Sequence, residues 1–332
     1  MRRSPLPPHL GTSFSVHRAL EAGLPYTRLN RSDLETPFRG VRILRDGIAP
    51  HDRDLPLSHQ PPPQVSRILH LAHSYFAMDR PEDLFLSHTT AALVLGLPVA
   101  LQYLDDTRIE ASRISPAKRP SGRNVRGHEV LPSYVHRVHH GGLPVSDAAS
   151  TWAILASRLP LPELVVLGDA IIRVPRMPGT LRDPRDRGLA TLAELEAAVD
   201  VGPRPGSRLL RKALLLIRQG AASRPETLLR LHLELPGMPE PQLDHDVYDA
   251  QGRLLGCSEI AYPEFRVAVE YESEHHRVDR EQWNRDIRKY SDYAAAGWEP
   301  VRITARHLFG TPPEAARLVQ AALVRAGWRP RS

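Results

Sequence analysis

Hydrophobic residues recur at helical spacing near the start of the chain and then alternate with polar residues. SVHRALEAGLPYTRLNRSDL predicts a short helix closed by Gly23 and a second helix around Tyr26–Arg31. FRGVRIL predicts a β-strand in which Arg42 lies on the face opposite Val41 and Ile43. This order is compatible with a small winged helix, and also with a helical hairpin that has a solvated basic edge.

Helical and strand patterns alternate in the middle of the chain. Helices are predicted at SRILHLAHSYF, at SHTTAALVLGLP with Ser87 as its N-cap, and at SDAASTWAILASRLPLPELVVLGDAII. In the last stretch Asp147 begins one helix and Pro160–Pro162 separates it from the next. The basic stretch RISPAKRPSGRNVRGHEVLPSYVHRVHHGGLPV predicts strands joined by a loop.

The last part of the chain predicts the element order α-β-β-β-α-β-α. Ser223 can cap the helix in SRPETLLRLHLEL, and Glu226 lies in its first turn. PQLDHDVYDAQGRLLGCSEIAYPEFRVAVEYES predicts three strands with turns at Ala250–Gly252 and Pro263. A helix opened by Asp279, the strand EPVRIT and the helix PPEAARLVQAALVRAG complete the series.

Proline-rich stretches divide the chain into three predicted units. Residues 48–64 (IAPHDRDLPLSHQPPPQ) predict a linker, and further breaks fall at residues 173–188 and 200–208. The units are a winged-helix-like segment at 1–50, an α/β middle domain at 60–200 and a C-terminal domain at 205–332. The fold class predicted for the whole chain is α/β.

Composition adds a chemical constraint to this division. The chain has 332 residues, 41% of them hydrophobic, a net charge of +6 and a pI of about 9.7. Its 44 basic residues include three lysines: Lys118, Lys212 and Lys289. Arginine binds phosphate as a rigid fork and does not act as a base, so the basic balance permits a nucleic-acid partner.

Several classes of protein and site are disfavoured. A single cysteine, Cys257, excludes an internal disulfide and a cysteine-ligated zinc site. The opening residues lack the apolar core of a signal peptide and no run of 18 apolar residues follows, so we expect a soluble cytoplasmic protein without a membrane partner. His88, His139 and His140 have no metal-like spacing and are predicted to be surface or hydrogen-bonded histidines.

The strand RVAVEYES carries the strongest candidate chemistry. Alternation places Ala268, Glu270 and Glu272 on one face at the end of an apolar strand. Glu259 joins them if the two strands form a hairpin, and Glu226 can approach from its helix. Converging carboxylates need a proton or a cation, and oxygen ligands suit Mg²⁺ or Mn²⁺. The alternative is a solvated strand end, with Glu226 favoured by the helix dipole.

Three stretches of the C-terminal domain share a pattern with a known family: SRPETLLR, SEIAYPEFRVAVEYESEHH and RDIRKYSDYAAAGWEPVRIT. Together they resemble the domain family related to very-short-patch-repair endonucleases, which has the PD-(D/E)XK nuclease fold. The resemblance covers about the last 125 residues and implies a restriction-endonuclease-like core. It places Glu226 at the helix position, Glu259 at the core-strand acid, Glu270 and Glu272 at the E-x-D pair, and His276 at the final histidine. In these roles Glu259, Glu270 and Glu272 would bind one or two Mg²⁺ (or Mn²⁺), His276 would activate water, and Glu226 would orient the site.

The chain departs from that family's pattern at three points. Glu259 replaces the core aspartate, Glu272-Ser273 replaces Asp-Gly, and no lysine stands two residues after Glu270. Glutamate is one methylene longer than aspartate, which moves a ligand oxygen by roughly an ångström. His276 retains an imidazole that titrates near neutral pH.

The first two units resemble AbiEi-type antitoxins and transcriptional regulators, on the residues HRALEAGLPYTRLNRSDLETPFRGVRIL and SHTTAALVLGLP. That resemblance implies an N-terminal winged helix and a partner protein in a toxin–antitoxin-like system. The candidates for contact with DNA phosphates are Arg28, Arg31, Arg39 and Arg42.

The sequence therefore predicts a DNA-binding protein with a metal-dependent endonuclease-like domain that hydrolyses DNA phosphodiesters. One alternative is an antitoxin-like transcriptional regulator that binds DNA without cutting it, its nuclease fold being catalytically degenerate. A second alternative is a nuclease directed at RNA.

Overall fold

Three β-sheets of three, five and four strands organise the part of the chain that the structure describes. This structure is a computed structural model and describes residues 5–45, 61–104, 107–183, 185–272, 280–311 and 313–330. The described chain is mixed α/β, as the sequence predicts. Most of the predicted linker at residues 48–64 lies outside the described residues.

The chain divides into two compact units. The first unit contains residues 1–159 and 195–207, and the second contains residues 160–194 and 208–332. Residues 160–194, which the proline breaks place with the middle segment, thus belong to the second unit. Separate folding of 1–50 and 60–200 stays a prediction.

The N-terminal part of the first unit is a small antiparallel sheet with one helix. The strand order is β1-β3-β2, with β1 Ser13–Ser15, β2 Leu34–Glu35 and β3 Val41–Leu44. Helix α1, Val16–Glu21, begins where the Ser15 hydroxyl accepts the Arg18 N–H. The second helix predicted around Tyr26–Arg31 is wrong in length. One 3₁₀ turn, Arg28–Asn30, takes its place, because the Leu34 N–H bonds the Arg31 carbonyl and turns the chain into β2.

The rest of the first unit is built on a five-stranded sheet in the order β6-β5-β4-β8-β7. Pairs β5–β6 and β4–β8 are parallel, and the other pairs are antiparallel. The strands are β4 Leu84–Leu86, β5 Ile109–Ile114, β6 Val125–Val130, β7 Arg137–His140 and β8 Leu143–Ser146. The helices are α2 Pro63–Tyr75, α3 His88–Val94 and α4 Ala148–Leu155. The predicted Asp147 cap of α4 is confirmed, since its carboxylate accepts the Ser150 N–H at 2.8 Å.

The second unit contains a four-stranded sheet in the order β12-β11-β10-β9. Neighbouring strands are antiparallel except for the parallel pair β11–β12. The strands are β9 Gln242–Tyr248, β10 Leu254–Tyr262, β11 Val267–Glu272 and β12 Glu299–Thr304. The helices are α5 Leu161–Ile172, α8 Arg224–Leu233, α9 Arg280–Ala295, α10 Ala305–Phe309 and α11 Ala315–Arg325. The chain passes between the units at residues 159–160, within α6, Leu192–Asp200, and at the start of α7, Ser207–Leu216.

Helices cover both faces of this sheet, and strand β11 shows how. Val267 and Val269 are fully buried in an apolar core that includes residues of α8 and α11. Ala268, on the opposite face, packs with Val247 of β9 and Tyr293 of α9. Alternation along β11 thus separates an apolar face from the face beneath α9, which is the face predicted to carry Glu270 and Glu272. No described helix is long and apolar enough to cross a membrane.

Candidate active site

Two glutamates meet across the antiparallel strands β10 and β11. The strand register pairs Ile260 with Val269, so Glu259 and Glu270 are the next residues along this pairing. The Glu259 carboxylate accepts the backbone N–H of Tyr271 at 2.8 Å. Glu270 is only 4% exposed. The hairpin predicted from the sequence therefore forms, and it brings two carboxylates together inside the protein.

A third carboxylate comes from the first turn of α8. Ser223 caps this helix, as predicted, by accepting the Glu226 N–H at 3.4 Å. The Glu226 carboxylate turns back and accepts the Ala222 N–H at 2.6 Å, an arrangement close to a capping box. Glu226 is 8% exposed, and its charge acts on both Glu259 and Glu270. Glu226, Glu259 and Glu270 form what we call the carboxylate cluster.

One ammonium group lies against the carboxylate cluster. Lys289 of α9 donates a hydrogen bond from Nζ to Glu270 Oε1 at 2.8 Å. Its charge also acts on Glu259. The Ser258 hydroxyl, which donates to the Ile260 carbonyl at 2.8 Å, also lowers the pKa of Glu270. Helix α9 thus supplies a cation to a buried site whose acidic groups come from three other elements.

Electrostatics in the carboxylate cluster favour protonation. Burial and the negative charges of Glu226 and Glu270 raise the pKa of Glu259 well above its ordinary value, although the Tyr271 N–H and Lys289 oppose this. Burial raises the pKa of Glu270 against the opposing charge of Lys289, and burial also raises the pKa of Glu226. The charge of Arg173 opposes the shift of Glu226, as Lys289 opposes those of the other two. A proton or a bound cation would further stabilise the three carboxylates.

A neighbouring group of charges is already neutralised. Asp244 of β9 accepts Arg176 Nε at 2.8 Å and also pairs with Arg182. Arg176 reaches Asp246 at 2.8 Å as well, and the Cys257 thiol donates to Asp244 at 3.0 Å. Asp244 contributes to the field on Glu226, but its carboxylate oxygens are engaged by these three groups. This group therefore provides structure beside the carboxylate cluster.

Glu272, predicted as a metal ligand, has other partners. It accepts the Tyr290 hydroxyl at 2.8 Å and Arg302 Nε at 2.7 Å. The Arg302 guanidinium lies over the Tyr290 ring, 4.9 Å from its centroid. Glu270 and Glu272 both contact α9, as alternation predicts. Glu226 acts electrostatically on both Glu259 and Glu270, whereas Glu272 is hydrogen-bonded to Tyr290 and Arg302.

The remaining predicted site residues fall into two groups. His276, like its neighbour His275, lies outside the described residues. Among the proposed DNA contacts, Arg31 and Arg39 are exposed.

Arg28 and Arg42, by contrast, are buried in the first unit, 8% and 7% exposed. Arg28 donates to both carboxylate oxygens of Asp33, at 3.1 and 2.7 Å. Arg42 Nε donates to the Leu29 carbonyl at 2.7 Å. Alternation on β3 predicts a solvated Arg42, but Val41, Arg42 and Ile43 are all buried. These two guanidinium groups stabilise the unit and are not presented to a phosphate.

The carboxylate cluster has the donors that a hard divalent cation requires. Glu226, Glu259 and Glu270 offer only oxygen atoms, which are the ligands preferred by Mg²⁺ and Mn²⁺. The type of donor therefore suits a magnesium-type ion, but the carboxylate oxygens of these three described residues are not all within 4.8 Å of one another.

The sequence does not predict a role for Lys289 in this site, because the family motif has its lysine within the strand. The lysine comes instead from a helix 19 residues after Glu270. A compositional signal was available, since Lys289 is one of three lysines in an arginine-rich chain. An ammonium can lose a proton and bind as a compact charge, whereas arginine can do neither.

No protein-family model, curated protein or solved structure matches the chain. The interpretation of this site therefore depends on its own geometry and chemistry.

Proposed function

We propose that the second unit hydrolyses nucleic-acid phosphodiesters, with DNA as the substrate, at a divalent metal bound by the carboxylate cluster. The observation that carries this proposal is that Glu226, Glu259 and Glu270, from a helix and two strands, lie close enough for their charges to raise one another's pKa, with the Lys289 ammonium hydrogen-bonded to Glu270. From α8 onward the order of elements agrees with the nuclease core implied by the resemblance, apart from the additional short helix α10, and helices α5 and α7 precede this series. This agreement supports a restriction-endonuclease-like fold.

The proposed roles follow from the charges of the side chains. Glu259, Glu270 and Glu226 would bind Mg²⁺ or Mn²⁺, which when bound supplies water activation and stabilisation of negative charge at the phosphate. Lys289 fixes the Glu270 carboxylate through its 2.8 Å hydrogen bond. Its ammonium is also placed to stabilise negative charge that develops on a phosphate oxygen. Glu272, paired with Arg302, orders α9 against the sheet rather than binding the metal.

Exposed basic residues support the choice of a nucleic acid. Arg288 is exposed on α9, next in sequence to Lys289. In the first unit Arg31 and Arg39 are exposed, and the whole chain has a net charge of +6. Exposed arginines bind backbone phosphates without reading sequence. They would dock the polymer, while the carboxylate cluster performs the hydrolysis.

A DNA-binding regulator without nuclease activity is the second candidate. The observation that favours it is the position of Glu272, whose carboxylate pairs with Arg302 and Tyr290 and leaves the metal site one predicted ligand short. The resemblance of the first two units to antitoxin-like regulators agrees with this candidate, and a partner protein stays a prediction.

The proposal is tested by incubating the full-length chain with supercoiled DNA, single-stranded DNA and single-stranded RNA, each with Mg²⁺, Mn²⁺ or EDTA. The variant Glu259→Gln removes one carboxylate charge. The matched control is Glu264→Gln, since Glu264 is exposed in the connection between β10 and β11.

We expect metal-dependent cleavage of DNA that Glu259→Gln reduces at least ~100-fold and Glu264→Gln leaves unchanged. Cleavage confined to RNA would mean that the substrate is RNA rather than DNA, and the proposed active site would stand. Absence of cleavage of all three polymers, together with salt-sensitive binding to duplex DNA, would refute the enzyme and support the regulator.

A further inference from the structure

A second group of potential metal ligands lies in the first unit. One ligand atom from each of His88, Glu110 and His128 lies within 4.8 Å of the other two. His128 Nε2 is hydrogen-bonded to Glu110 Oε1 at 3.2 Å, and the two imidazole rings stack with centroids 3.8 Å apart. We call these three residues the histidine cluster. The sequence predicts a surface or hydrogen-bonded His88, because its partners lie 22 and 40 positions away. In the structure His88 is buried.

The strands and helix around the histidine cluster hold each side chain in place. Glu110 is 1% exposed, and its Oε2 accepts the Thr89 N–H at 2.9 Å and the Thr89 hydroxyl at 2.6 Å. Parallel pairing of β5 with β6 aligns Ser112 with His128. This pairing places His128 near Glu110, which lies two residues before Ser112 on the same face of β5.

His88 is oriented by Ser87 and has an unusual backbone. The Ser87 hydroxyl lies 2.9 Å from His88 Nδ1 and 2.7 Å from the Ser112 hydroxyl. Ser87 was predicted to cap α3, but its side chain bonds the imidazole instead. His88 has φ +51°, a left-handed conformation that costs free energy in a residue other than glycine. The fold therefore sustains backbone strain at one of the three potential metal ligands.

A cavity of about 560 Å³ adjoins the cluster. His88 and His128 both line it, and Tyr134 and Ser157 lie elsewhere in its wall. A small molecule that enters this cavity would reach the two imidazoles directly. The site therefore has three protein ligands and an open side, whereas structural zinc sites are closed by four protein ligands.

We propose that His88, Glu110 and His128 bind a zinc-class divalent ion that keeps an open coordination position facing the cavity. Two imidazole nitrogens and one carboxylate oxygen are donors that Zn²⁺ and its neighbours prefer, and they differ from the all-oxygen donors of the carboxylate cluster. Ser87 orients His88, and Thr89 orients Glu110. Such partners fix ligand geometry at metal sites.

The Arg158 guanidinium would compete with the metal ion for the Glu110 carboxylate. Its guanidinium contacts Glu110 Oε1, the same oxygen that bonds His128. The Arg158 side chain is 30% exposed, so it can move toward solvent when a cation takes its place. A purely structural network would need Arg158 for charge balance, whereas a metal site should bind its ion more tightly without it.

The test is Co²⁺ titration of the full-length, metal-free chain, followed by visible absorption. Excess Mg²⁺ is present so that the oxygen ligands of the carboxylate cluster are occupied, and Zn²⁺ is then added in competition. The variants are His128→Gln, which removes a ligand, and Arg158→Met, which removes the competing charge. His140→Gln is the matched control, because His140 is exposed on β7 of the same sheet.

We expect a single equivalent of Co²⁺ with the absorption bands of nitrogen ligation, displaced by Zn²⁺. His128→Gln should weaken binding at least ~100-fold, His140→Gln should leave it unchanged, and Arg158→Met should tighten it about tenfold. The proposal is overturned if the wild-type chain binds Co²⁺ no more tightly than His128→Gln. It is also overturned if Arg158→Met fails to bind more tightly than wild type, which keeps the test valid should His128→Gln misfold.

Discussion

The histidine cluster and the carboxylate cluster balance their buried charges in opposite ways. In the first unit a single buried carboxylate, Glu110, is surrounded by hydrogen-bond donors from Thr89, His128 and Arg158. In the second unit three glutamates share one ammonium, that of Lys289. The first arrangement surrounds one carboxylate with protein donors, whereas the second brings three carboxylates near the charges of Lys289 and Arg173.

The pKa values record this difference. Burial alone would raise the pKa of Glu110, but hydrogen bonds from His128 and Thr89 and nearby positive charge hold it well below its ordinary value. Burial, with the neighbouring positive groups, lowers the pKa of His88 to about 3. The pKa of Glu259 is raised. Neutralising one carboxylate should therefore have opposite effects on the stability of the two units.

The largest expected effect is that of Glu110→Gln. This change leaves Arg158 and the imidazoles without their carboxylate, and breaking such a buried pair should lower the free energy of unfolding by about 3 kcal/mol. Chemical denaturation in EDTA measures it. The exposed Glu129→Gln on β6 is the control and should stay within about 0.5 kcal/mol of wild type. Equal stability of the two variants would show that Glu110 is not the centre of a balanced network.

Removing the cation from the carboxylate cluster should have the next largest effect. Lys289→Met leaves Glu270 buried without its ion pair, so we expect a loss of about 2 kcal/mol in the absence of metal. The DNA cleavage rate should also fall about 100-fold. Lys212, exposed on α7, gives the matched control Lys212→Met. If both lysine variants behave like wild type, Lys289 has no role in the site.

When metal is absent, His88 in the first unit and Glu259 in the second should make stability respond to pH in opposite directions. In the second unit the partly buried His245, whose pKa burial lowers, opposes the effect of Glu259. The pKa of His88 is depressed from 6.5, so its contribution is fully present above pH 6.5 and is lost as the pH falls toward 3. The pKa of Glu259 is raised above 4.5, so its contribution is present below that pH and is lost as the pH rises through the folded-state value. Each titrating group changes stability by up to about 1.4 kcal/mol per pH unit.

Hydrogen exchange between pH 5 and 6.5 in EDTA would measure the pH dependence of stability in each unit, since peptides from β5 and from β11 report on separate units. Protection should rise with pH in β5 and fall with pH in β11. Glu259→Gln should flatten the β11 slope and leave the β5 slope unchanged. Parallel slopes in both strands would contradict the proposed difference in charge balance.

The smallest effects concern the arginines of the N-terminal sheet. Arg42→Ala removes buried hydrogen bonds and should destabilise the first unit by about 1 kcal/mol. The exposed Arg39→Ala should leave stability unchanged and weaken duplex DNA binding about threefold, with a shallower salt dependence. Thermal unfolding measures the stability change in Arg42→Ala, and DNA binding measured over a series of salt concentrations tests Arg39→Ala. Unchanged DNA affinity and salt dependence in Arg39→Ala would remove Arg39 from the proposed interface.

The structure also shows which features the sequence could predict. Alternation identified the face of β11 that carries Glu270 and Glu272, and helix-start chemistry located Ser223 and Glu226, because both depend on local spacing. Lys289 could not be placed, since its approach to Glu270 depends on how α9 packs over the sheet.

Arg42 was assigned to the solvent because alternation assumes one exposed face, and this small sheet buries both faces of β3. The histidine cluster escaped notice for a similar reason, since the parallel pairing of β5 with β6 cannot be inferred from either strand alone.

The central claim is that Glu226, Glu259 and Glu270 form a metal-dependent site for phosphodiester hydrolysis. Its most direct test is the single-turnover rate of duplex DNA cleavage as a function of Mg²⁺ concentration, for wild type and Glu270→Gln, with Glu264→Gln as control. We predict Mg²⁺-dependent cleavage by wild type and by the control, and a loss of at least ~100-fold in Glu270→Gln. Cleavage that persists in Glu270→Gln, or that does not depend on the metal, would contradict the account.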